Sequence, residues 1–527
     1  MHKHSRMLMA AVALLVAVGA CTDVTVEPKS TVSSANIFTE PTAYRQFLAK
    51  IYGGLALTGQ SGPAGNVDIT SNDEGFSHYV RLLWQMEELP TDEAVIAWND
   101  GPLQELNTQM WGSQNSFLGQ MYYRIYFQVS MANEFLRETS DAKLASRGVS
   151  GALATQIKQY RAEARFLRAL SYWHGIDLFG DIPLVTDADV IGKTAPQQAK
   201  RADVYAFAVS ELNAIRNDLP AAGAAEYGRA DQGAVAMLLA KLYLNANVYA
   251  GAPKYAEARA EAEKVIAGSY SLDANFRRIF SADNHTSPEM VFPIPQDGKK
   301  TQSYGGTTFL THASVGGNMN ASDYGLDGGW WGLRLKPEIL PLFPNNGGPT
   351  SADKRSAHFF TNGQTTSIAN LTNFNDGVGA PKFSNKTSTG QPGSDPGFAD
   401  TDYPMFRLAD AYLIYAEAVT RGGGGTRAQA LTYVNALRQR AYGNTSGNVT
   451  DAQMTTDFIL DERARELLWE GTRRTDLIRY GKFTTAGVWS WKGNVAAGKT
   501  TEAFRNLYPL PASELIANKN LTQNTGY

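Results

Sequence analysis

Cysteine is nearly absent from this sequence: the 527 residues contain one cysteine, Cys21. An internal disulfide and a zinc site built from several thiolates both need more than one cysteine, so both are excluded. A surplus of either charge is also lacking, since 48 Lys and Arg stand against 51 Asp and Glu and the formal net charge is −3. The chain therefore has no global electrostatic reason to bind nucleic acid, and we predict no nucleic-acid partner.

Known signatures of catalysis and cofactor binding are missing as well. The sequence has no HExxH helix, no GxSxG elbow and no Walker-type glycine loop, and its seven His are not at metal-ligand spacing. We predict no metal site and no cofactor, although a Ca²⁺ ion held by loop carbonyls would leave no signature. Two acidic pairs, Asp73-Glu74 and Asp92-Glu93, could supply the two carboxyl groups of a glycosidase. Acidic residues in loops are usually solvated or form turns, so we predict that the protein is not an enzyme.

The first 21 residues have the pattern of a bacterial lipoprotein signal. Lys3 and Arg6 precede an apolar run over residues 7–20, which is too short to span a membrane and is typical of a secretory signal peptide. The run ends in Val-Gly-Ala-Cys at Cys21, and this tetrapeptide resembles the lipobox, whose Cys becomes the lipidated first residue. Several acyl chains on one residue would anchor the chain stably. We predict a signal peptide over residues 1–20 and lipidation of Cys21. The alternative is a plain signal peptide with an incidental Cys.

Helical periodicity dominates most of the remaining chain. Hydrophobic residues make up 43% and charged residues 19%, as in a folded globular protein, and the length suggests two or more packed regions. Apolar spacings of three and four predict helices over residues 41–57, 116–138 and 153–178. Three later helices repeat the small and apolar positions of tetratricopeptide (TPR) repeats: Ala208, Leu212 and Ile215; Ala258, Ala262 and Val265; Ala430, Val434 and Leu437. Because these units are irregularly spaced, we predict a decorated TPR-like scaffold rather than a regular solenoid.

Between residues 283 and 402 the helical pattern gives way to a long irregular region. Charge thins out there, Gly, Ser, Thr and Asn dominate, and aromatic residues are interspersed. An irregular segment of this length is unusual in a compact protein unless it has a function or short strands of its own. The predicted fold class is therefore mainly α: a TPR-like α-α superhelical scaffold with a long irregular, aromatic-rich loop region that contains minor short strands.

Residues 459–482 carry a dense set of alternating charges. Apolar residues at spacings of three and four among them predict one amphipathic helix. Charges four residues apart on such a helix can pair, and the sequence predicts the pairs Asp461–Arg465 and Glu470–Arg474. With no cofactor site, basic surplus or catalytic motif to accompany them, we interpret these charges as structural pairs that hold neighbouring segments in place.

Several blocks of sequence, spread over nearly the full length, form one distinctive set. They are the lipobox at Cys21, Thr91-Asp92-Glu93 followed by Trp98-Asn99-Asp100-Gly101, residues 163–186, 228–230, 236–244, 403–409 and 459–482, and the C-terminal LYPLPASEL and LTQNTGY segments. Together these blocks resemble the SusD/RagB family of outer-membrane nutrient-binding lipoproteins, although no single block would be specific. The sequence departs from the family at Ala464, Trp469 and Asn99, where Arg, Phe and Asp are usual.

The resemblance implies a SusD-like helical region over residues 21–288 and a RagB/SusD region over residues 289–527. It also implies a lipoprotein on the outer membrane, facing the extracellular side, that forms a lid on a SusC-like TonB-dependent transporter. Such a protein binds a nutrient, often an oligosaccharide or other glycan, and passes it to the transporter for import. Two other functions stay open: a surface-anchored enzyme that acts on glycosides, and a structural or adhesive lipoprotein.

Aromatic residues are the best candidates for contact with a sugar. The C–H faces of a sugar ring lie against aromatic rings, while its hydroxyls need polar partners at the edge. Trp98 matches the family block in which a pocket Trp is found, and Arg81 and Asn99 are close to it in sequence. Trp330 and Trp331 lie between glycines, and in an extended chain their rings would point to opposite sides. The predicted ligand-binding residues are Trp98, Asn99, Arg81, Trp330, Trp331, Tyr304 and Tyr324.

Overall fold

The computed structural model describes residues 37–38, 40–60, 62–63, 67–69, 75–190, 192 and 194–527. The predicted signal peptide over residues 1–20 and the predicted lipidation site Cys21 lie outside the described residues. The chain divides into two units, residues 1–44 and residues 45–527, and nearly all of the described elements belong to the second. Among the described residues, no helix combines the length and the apolar character needed to cross a membrane.

Helices make up most of the regular structure. In chain order the described helices are α1 (Pro41–Ala56), α2 (Tyr79–Glu88), α3 (Gly101–Thr108), α4 (Ser116–Glu138), α5 (Asp141–Ser146), α6 (Gly151–Phe179), α7 (Arg201–Ile215), α8 (Gln232–Leu244), α9 (Ala246–Ala250), α10 (Tyr255–Ile266), α11 (Gly306–Ala313), α12 (Leu408–Thr420), α13 (Arg427–Tyr442), α14 (Thr456–Leu467), α15 (Arg473–Arg479) and α16 (Ala512–Ala517). The described strands are β1 (Ala94–Ile96), β2 (Ile182–Pro183), β3 (Gln198–Ala199), β4 (Met290–Ile294), β5 (Leu333–Leu335), β6 (Val378–Gly379) and β7 (Tyr403–Arg407). Helix α4 begins where Asn115 caps it, since the Asn115 side chain accepts hydrogen bonds from the N–H groups of Phe117 and Leu118.

Consecutive helices stack side by side as in a TPR-like scaffold. Helix α6 packs against α4 and α7, and a second series runs from α8 through α10 and α12 to α13. Ala208, Ala258 and Ala430, the small residues of the TPR pattern, are fully buried. A methyl group lets two helix backbones approach closely, and larger apolar residues on the same face fill the space beside it. The predicted mainly α fold with TPR-like packing is confirmed.

Short antiparallel strands tie the irregular region into the body. Strand β4 pairs with β7, so this pair closes the base of the long loop between them. Within the loop, β5 lies between β1 and β6 in a three-stranded sheet, in which Ile96 is opposite Leu333 and Leu335 is opposite Val378. The predicted minor strands of the aromatic-rich region are therefore present, and one of them, β5, pairs with β1 from the N-terminal half of the chain.

The charge-rich stretch 459–482 contains two helices, α14 and α15, so the prediction of one continuous helix is wrong. The chain leaves the helix at Leu468, and Trp469 has a left-handed backbone with a φ of 61°. The Trp469 ring is buried in edge-to-face contact with Trp84, and the Nε1–H of Trp84 donates to Trp469 O at 2.9 Å. Burial of this large ring and its hydrogen bond outweigh the local preference for a continuous helix.

Both charge pairs predicted within this stretch are also wrong. Arg465 donates to Glu462 at 2.8 Å instead of to the acid four residues before it, because Glu462 is the buried carboxylate on that helix face. Arg474 lies beyond the break and donates to Asp177 of α6 at 2.8 Å. The break turns Arg474 towards a partner outside its own stretch, so helical spacing does not decide which charge Arg474 meets.

Glu466 of α14 lies at the centre of a buried ion-pair network. Its carboxylate accepts hydrogen bonds from Arg407 at 2.7 Å, from Arg355 at 3.0 Å and from Arg440. The three partners belong to different parts of the fold, since Arg407 ends β7, Arg355 lies in the irregular region and Arg440 lies in α13. Because these groups are buried, each charge depends on its partners. The geometry agrees with the interpretation of these charges as structural.

This network makes the stability of the protein sensitive to acid. Burial by itself raises the pKa of Glu466, but the charges of its arginine partners, Arg440 first, outweigh burial and lower the pKa to about 2, below the ordinary 4.5. A carboxyl group whose pKa is lowered by folding stabilises the folded state above its ordinary pKa, and this contribution is lost as the pH falls. We therefore expect the free energy of unfolding, measured by urea denaturation, to decrease from about pH 5 to about pH 3. The Glu466→Gln variant should show a shallower decrease, and equal slopes for the two proteins would contradict the prediction.

Candidate functional site

The antiparallel pairing of β1 with β5 brings Trp98 and Trp330 together, although 232 residues separate them. The chain that leaves β1 runs beside the chain that enters β5. Two hydrogen bonds extend this contact beyond the strands: Ala97 N–H donates to Gly332 O at 2.8 Å, and Trp98 Nε1–H donates to Trp330 O at 2.8 Å. The register of the sheet therefore sets the positions of the two indole rings.

Trp98, Trp330 and Tyr304 form one group of rings, which we call the aromatic platform. The ring centroids of Trp98 and Trp330 are 6.4 Å apart with 44° between the planes, and those of Trp330 and Tyr304 are 6.2 Å apart with 61° between the planes. The Tyr304 side chain is 37% exposed and both indoles are half-buried. Rings in this position offer apolar faces to a ligand while their polar edges can still reach water or a hydroxyl group.

Helix α11 lies behind the platform and supports its rings. Trp330 stacks on His312 with 4.7 Å between ring centroids, and Trp330 N–H donates to His312 O at 2.8 Å. Phe309, three residues earlier on the same face of the helix, meets Trp98 edge-on at 5.7 Å. Both supporting side chains are buried. Such packing restricts the two indoles before a ligand arrives, so that less conformational entropy is lost on binding.

His312 supports the platform as a neutral ring. Burial lowers the pKa of His312, so its imidazole is uncharged at neutral pH. Its Nδ1 lies 3.0 Å from Thr308 O, which indicates that the neutral ring carries its proton on Nδ1. His312 and Phe309 are not among the ligand-binding residues predicted from the sequence. Their spacing of three on a helix that directly follows Tyr304 is the signal that points to them.

A close backbone contact places Tyr304 beside helix α2. A Cβ atom at Gly305 would lie 2.1 Å from the Cβ of His78, the residue that caps the N-terminus of α2. Gly306 has a φ of 55°, a left-handed conformation that favours glycine. Side chains at these two positions would displace His78 or strain the backbone, so Gly305-Gly306 is needed to hold Tyr304 at the platform.

Arg81 of α2 joins the group from behind. Its side chain is 2% exposed, and the guanidinium lies over the rings of Phe309 at 4.7 Å and Trp98 at 5.6 Å. Its Nη1 donates to Tyr304 O at 3.4 Å. A cation against the face of an aromatic ring is attracted by the quadrupole of the ring. Arg81 therefore holds the rings from their buried side, whereas the sequence suggested a place on the polar rim.

The other predicted residues lie outside the platform. Trp331 has a φ of 55° instead of an extended backbone, and its ring is 51% exposed and lies against Phe374 at 5.7 Å. The rings of Trp330 and Trp331 thus separate, with only Trp330 in the platform. Tyr324 packs against a different apolar cluster, which includes Phe374. Asn99 is exposed and directly follows Trp98, so it is available as a polar partner beside the platform.

Of the two acidic pairs considered as catalytic groups, Asp92-Glu93 lies outside the platform. Both carboxylate oxygens of Asp92 accept hydrogen bonds from Arg473, at 2.7 Å each, and Glu93 is buried. Asp73 and Glu74 lie outside the described residues. In the part of the chain that the structure describes, no three His, Cys, Asp or Glu side chains cluster as they would around a metal ion. The platform is thus a surface suited to stacking and hydrogen bonding.

Two family models match this chain. The SusD family model matches residues 351–527, which contain helices α12 to α16. A second model, described as starch-binding associating with outer membrane, matches residues 79–244. This second match contains Trp98 of the platform and Arg81, which lies behind it.

Individual relatives match over most of the chain. The starch-binding protein SusD from Bacteroides thetaiotaomicron is 34% identical in an alignment that covers 91% of each chain. The SusD-like protein P2 from Formosa agariphila is 24% identical in an alignment that covers 81% of this chain and 84% of the relative. Among solved structures, surface glycan-binding protein A from Bacteroides thetaiotaomicron in complex with laminarihexaose has a TM-score of 0.68 at 21% identity, and the match covers 91% of this chain and 98% of that chain.

Proposed function

Because this chain belongs to the SusD family, as its sequence blocks predicted, we propose that it binds a glycan at the aromatic platform and delivers it to a SusC-like TonB-dependent transporter. The observation that carries the binding part is the platform itself, in which Trp98, Trp330 and Tyr304 lie half-exposed against a packed helix. Family membership rests on the identity of 34% over 91% of the chain. The transporter and the site at the outer membrane are proposed from family membership alone.

We expect the glycan to be an α-linked glucan of the starch type. The relative that is 34% identical over most of both chains is a starch-binding protein. Rings set side by side at successive angles suit an oligosaccharide, because each sugar unit presents a C–H face and carries hydroxyls at its edge. Asn99 beside Trp98 is the exposed polar side chain that we expect to meet those hydroxyls. Laminarihexaose, a β-linked glucan, serves as the comparison ligand.

Calorimetric titration of the full-length protein with maltoheptaose tests this proposal. We expect a dissociation constant between micromolar and millimolar, which corresponds to roughly 4–8 kcal/mol. After incubation with the sugar, the concentration of reducing ends should stay constant. An increase would instead favour the surface-anchored enzyme. No binding of maltoheptaose or laminarihexaose would contradict the proposal and favour the structural or adhesive lipoprotein.

We also propose that Cys21 carries the lipid that holds the protein on the membrane. Replacing Cys21 by serine is expected to move the protein from the membrane fraction to the soluble fraction, since serine provides no thiol for the acyl chains. The measurement is immunoblotting of cell fractions in a strain that lacks the transporter. Thr22→Ser is the matched control, because it leaves the cysteine in place. Retention of the Cys21→Ser variant on membranes would contradict lipidation at this residue.

A further inference from the structure

A cavity of about 720 Å³ lies beside the helical turn Phe276–Phe280 and helix α13, apart from the aromatic platform. This volume is within the range of small-molecule sites, about 300–1,000 Å³. Tyr324, one of the ligand-binding residues predicted from the sequence, lies in the wall of this cavity. The platform residues Trp98, Trp330 and Tyr304 do not line it. We call it the basic cavity, because of the charges in its wall.

The charged residues in the wall are all of one sign. Among the described residues that line the cavity are Arg277, Lys354, Lys382 and Arg440, and none is an Asp or a Glu. Lys382 and Arg440 are each paired with a glutamate on the protein side of the wall, at 2.7 Å and 2.6 Å. Their charges are therefore compensated from within the fold.

Arg277 and Lys354 differ from Lys382 and Arg440 in the partners of their charged groups. Within the described ion pairs, neither residue is joined to a carboxylate. Arg277 donates to Pro381 O at 3.2 Å and to Lys382 O, and Lys354 donates to Ser351 O at 2.8 Å, so both bind backbone carbonyls. Burial lowers the pKa of Arg277 to about 10, and the residue is half-buried in the cavity wall. An anion in the cavity would therefore gain charge-assisted hydrogen bonds at this position.

The rest of the wall adds aromatic rings and no negative charge. Burial lowers the pKa of His358 well below its ordinary value, and the charges of Arg277 and Lys382 lower it further, so its ring is neutral at neutral pH. The rings of Tyr324 and Phe360 also line the cavity. Flat apolar faces beside cationic groups suit a ligand that combines a ring with an acidic group.

We propose that the basic cavity binds a ring-shaped carboxylate, with the carboxylate at Arg277 and Lys354 and the ring against Tyr324. Two classes of compound have this chemistry: the uronic acid unit of an acidic glycan and a small aromatic acid. The site is additional to the glycan site of the proposed function, since the two share no lining residue.

Calorimetric titration of the full-length protein tests the proposal with two carboxylates and their neutral counterparts. The pairs are sodium glucuronate with glucose, and sodium benzoate with benzyl alcohol. We expect at least one carboxylate to bind at least ten times more tightly than its neutral counterpart, and the carboxylate that does so identifies the class of ligand. Binding of neither carboxylate, or equal binding of each carboxylate and its counterpart, would overturn the proposal.

Variants of the wall provide the second test. Arg277→Gln should weaken carboxylate binding at least tenfold, and Lys354→Ala, at an exposed position, should weaken it several-fold. Arg278→Gln is the matched control, because Arg278 pairs with Asp273 at 2.7 Å and does not line the cavity. Full carboxylate affinity in both Arg277→Gln and Lys354→Ala would overturn the proposal. Titration of Arg277→Gln with maltoheptaose should match that of the wild-type protein, so failure of one site is distinguishable from failure of the other.

Discussion

Replacing Trp98 by alanine is expected to weaken maltoheptaose binding about 30-fold or more, a loss of about 2 kcal/mol, and Trp330→Ala is expected to do the same. Each variant removes one ring face on which a sugar unit is proposed to stack. Tryptophan side chains in packed surroundings are the residues whose truncation most often produces losses of this size. Calorimetric titration of the full-length variants measures the effect, and circular dichroism checks that they are folded.

The two effects are not expected to add. Trp98 Nε1–H donates to Trp330 O at 2.8 Å, so loss of the Trp98 side chain also removes a hydrogen bond that positions the Trp330 segment. Residues in direct contact usually show coupling in a double-mutant cycle. The Trp98→Ala/Trp330→Ala double variant should therefore lose less binding free energy than the sum of the two single losses.

Trp331→Ala is the matched control for both variants. Trp331 adjoins Trp330 in sequence and is 51% exposed, but its ring lies against Phe374 and outside the platform. Its replacement should change the affinity for maltoheptaose by less than about threefold, or about 0.6 kcal/mol. Normal affinity in both Trp98→Ala and Trp330→Ala would show that the platform is not the glycan site. A large loss in Trp331→Ala alone would place the site on the Phe374 side.

Replacing Glu466 by alanine is expected to lower the free energy of unfolding by about 3–5 kcal/mol. The Glu466 side chain is fully buried and accepts hydrogen bonds from Arg407, Arg355 and Arg440. Its removal leaves buried guanidinium groups with less negative charge around them, and an uncompensated buried charge strongly destabilises a fold. Urea denaturation followed by tryptophan fluorescence measures the loss. Glu466→Gln, which keeps the shape and removes the charge, should be destabilised in the same direction.

Glu263→Ala is the control for the loss of a glutamate. Glu263 lies on α10 and pairs with Arg259 one turn away, and its side chain is 44% exposed. Exposed ion pairs of this kind contribute at most about 1 kcal/mol, so the stability should change little. A loss below about 1 kcal/mol in Glu466→Ala as well would show that the buried network is not needed for stability.

Much of the fold can be predicted from the sequence, because helical signals lie close together along the chain. The helix predicted over residues 116–138 matches α4, and the helix predicted over 153–178 matches α6 to within two residues at either end. The prediction for residues 459–482 is wrong because a distant residue decides that stretch. Trp469 packs against Trp84 and leaves the helical conformation to do so. Periodicity within a window carries no information about such a partner.

The candidate site is predictable from the sequence only where its signals are local. Residue type and the family block single out Trp98. Trp330 and Trp331 are recognisable in the sequence because glycines flank them. Choosing between Trp330 and Trp331 needs the backbone of Trp331, which is left-handed rather than extended. Tyr324 is indistinguishable from Tyr304 in sequence, yet the structure places it in the wall of the basic cavity.

By itself, the sequence determined the helical class, the family and the set of rings from which a glycan site can be built. These properties follow from short-range periodicity and from motifs whose residues are neighbours in the chain. Only the tertiary structure decided that Trp98, Trp330 and Tyr304 meet and that Arg81 lies behind them. It also decided that charges of residues 459–482 such as Glu466 and Arg474 pair with distant segments. The physical reason is that strand register and burial act between residues hundreds of positions apart, and each buried ring or charge takes the partner that the packed fold brings to it.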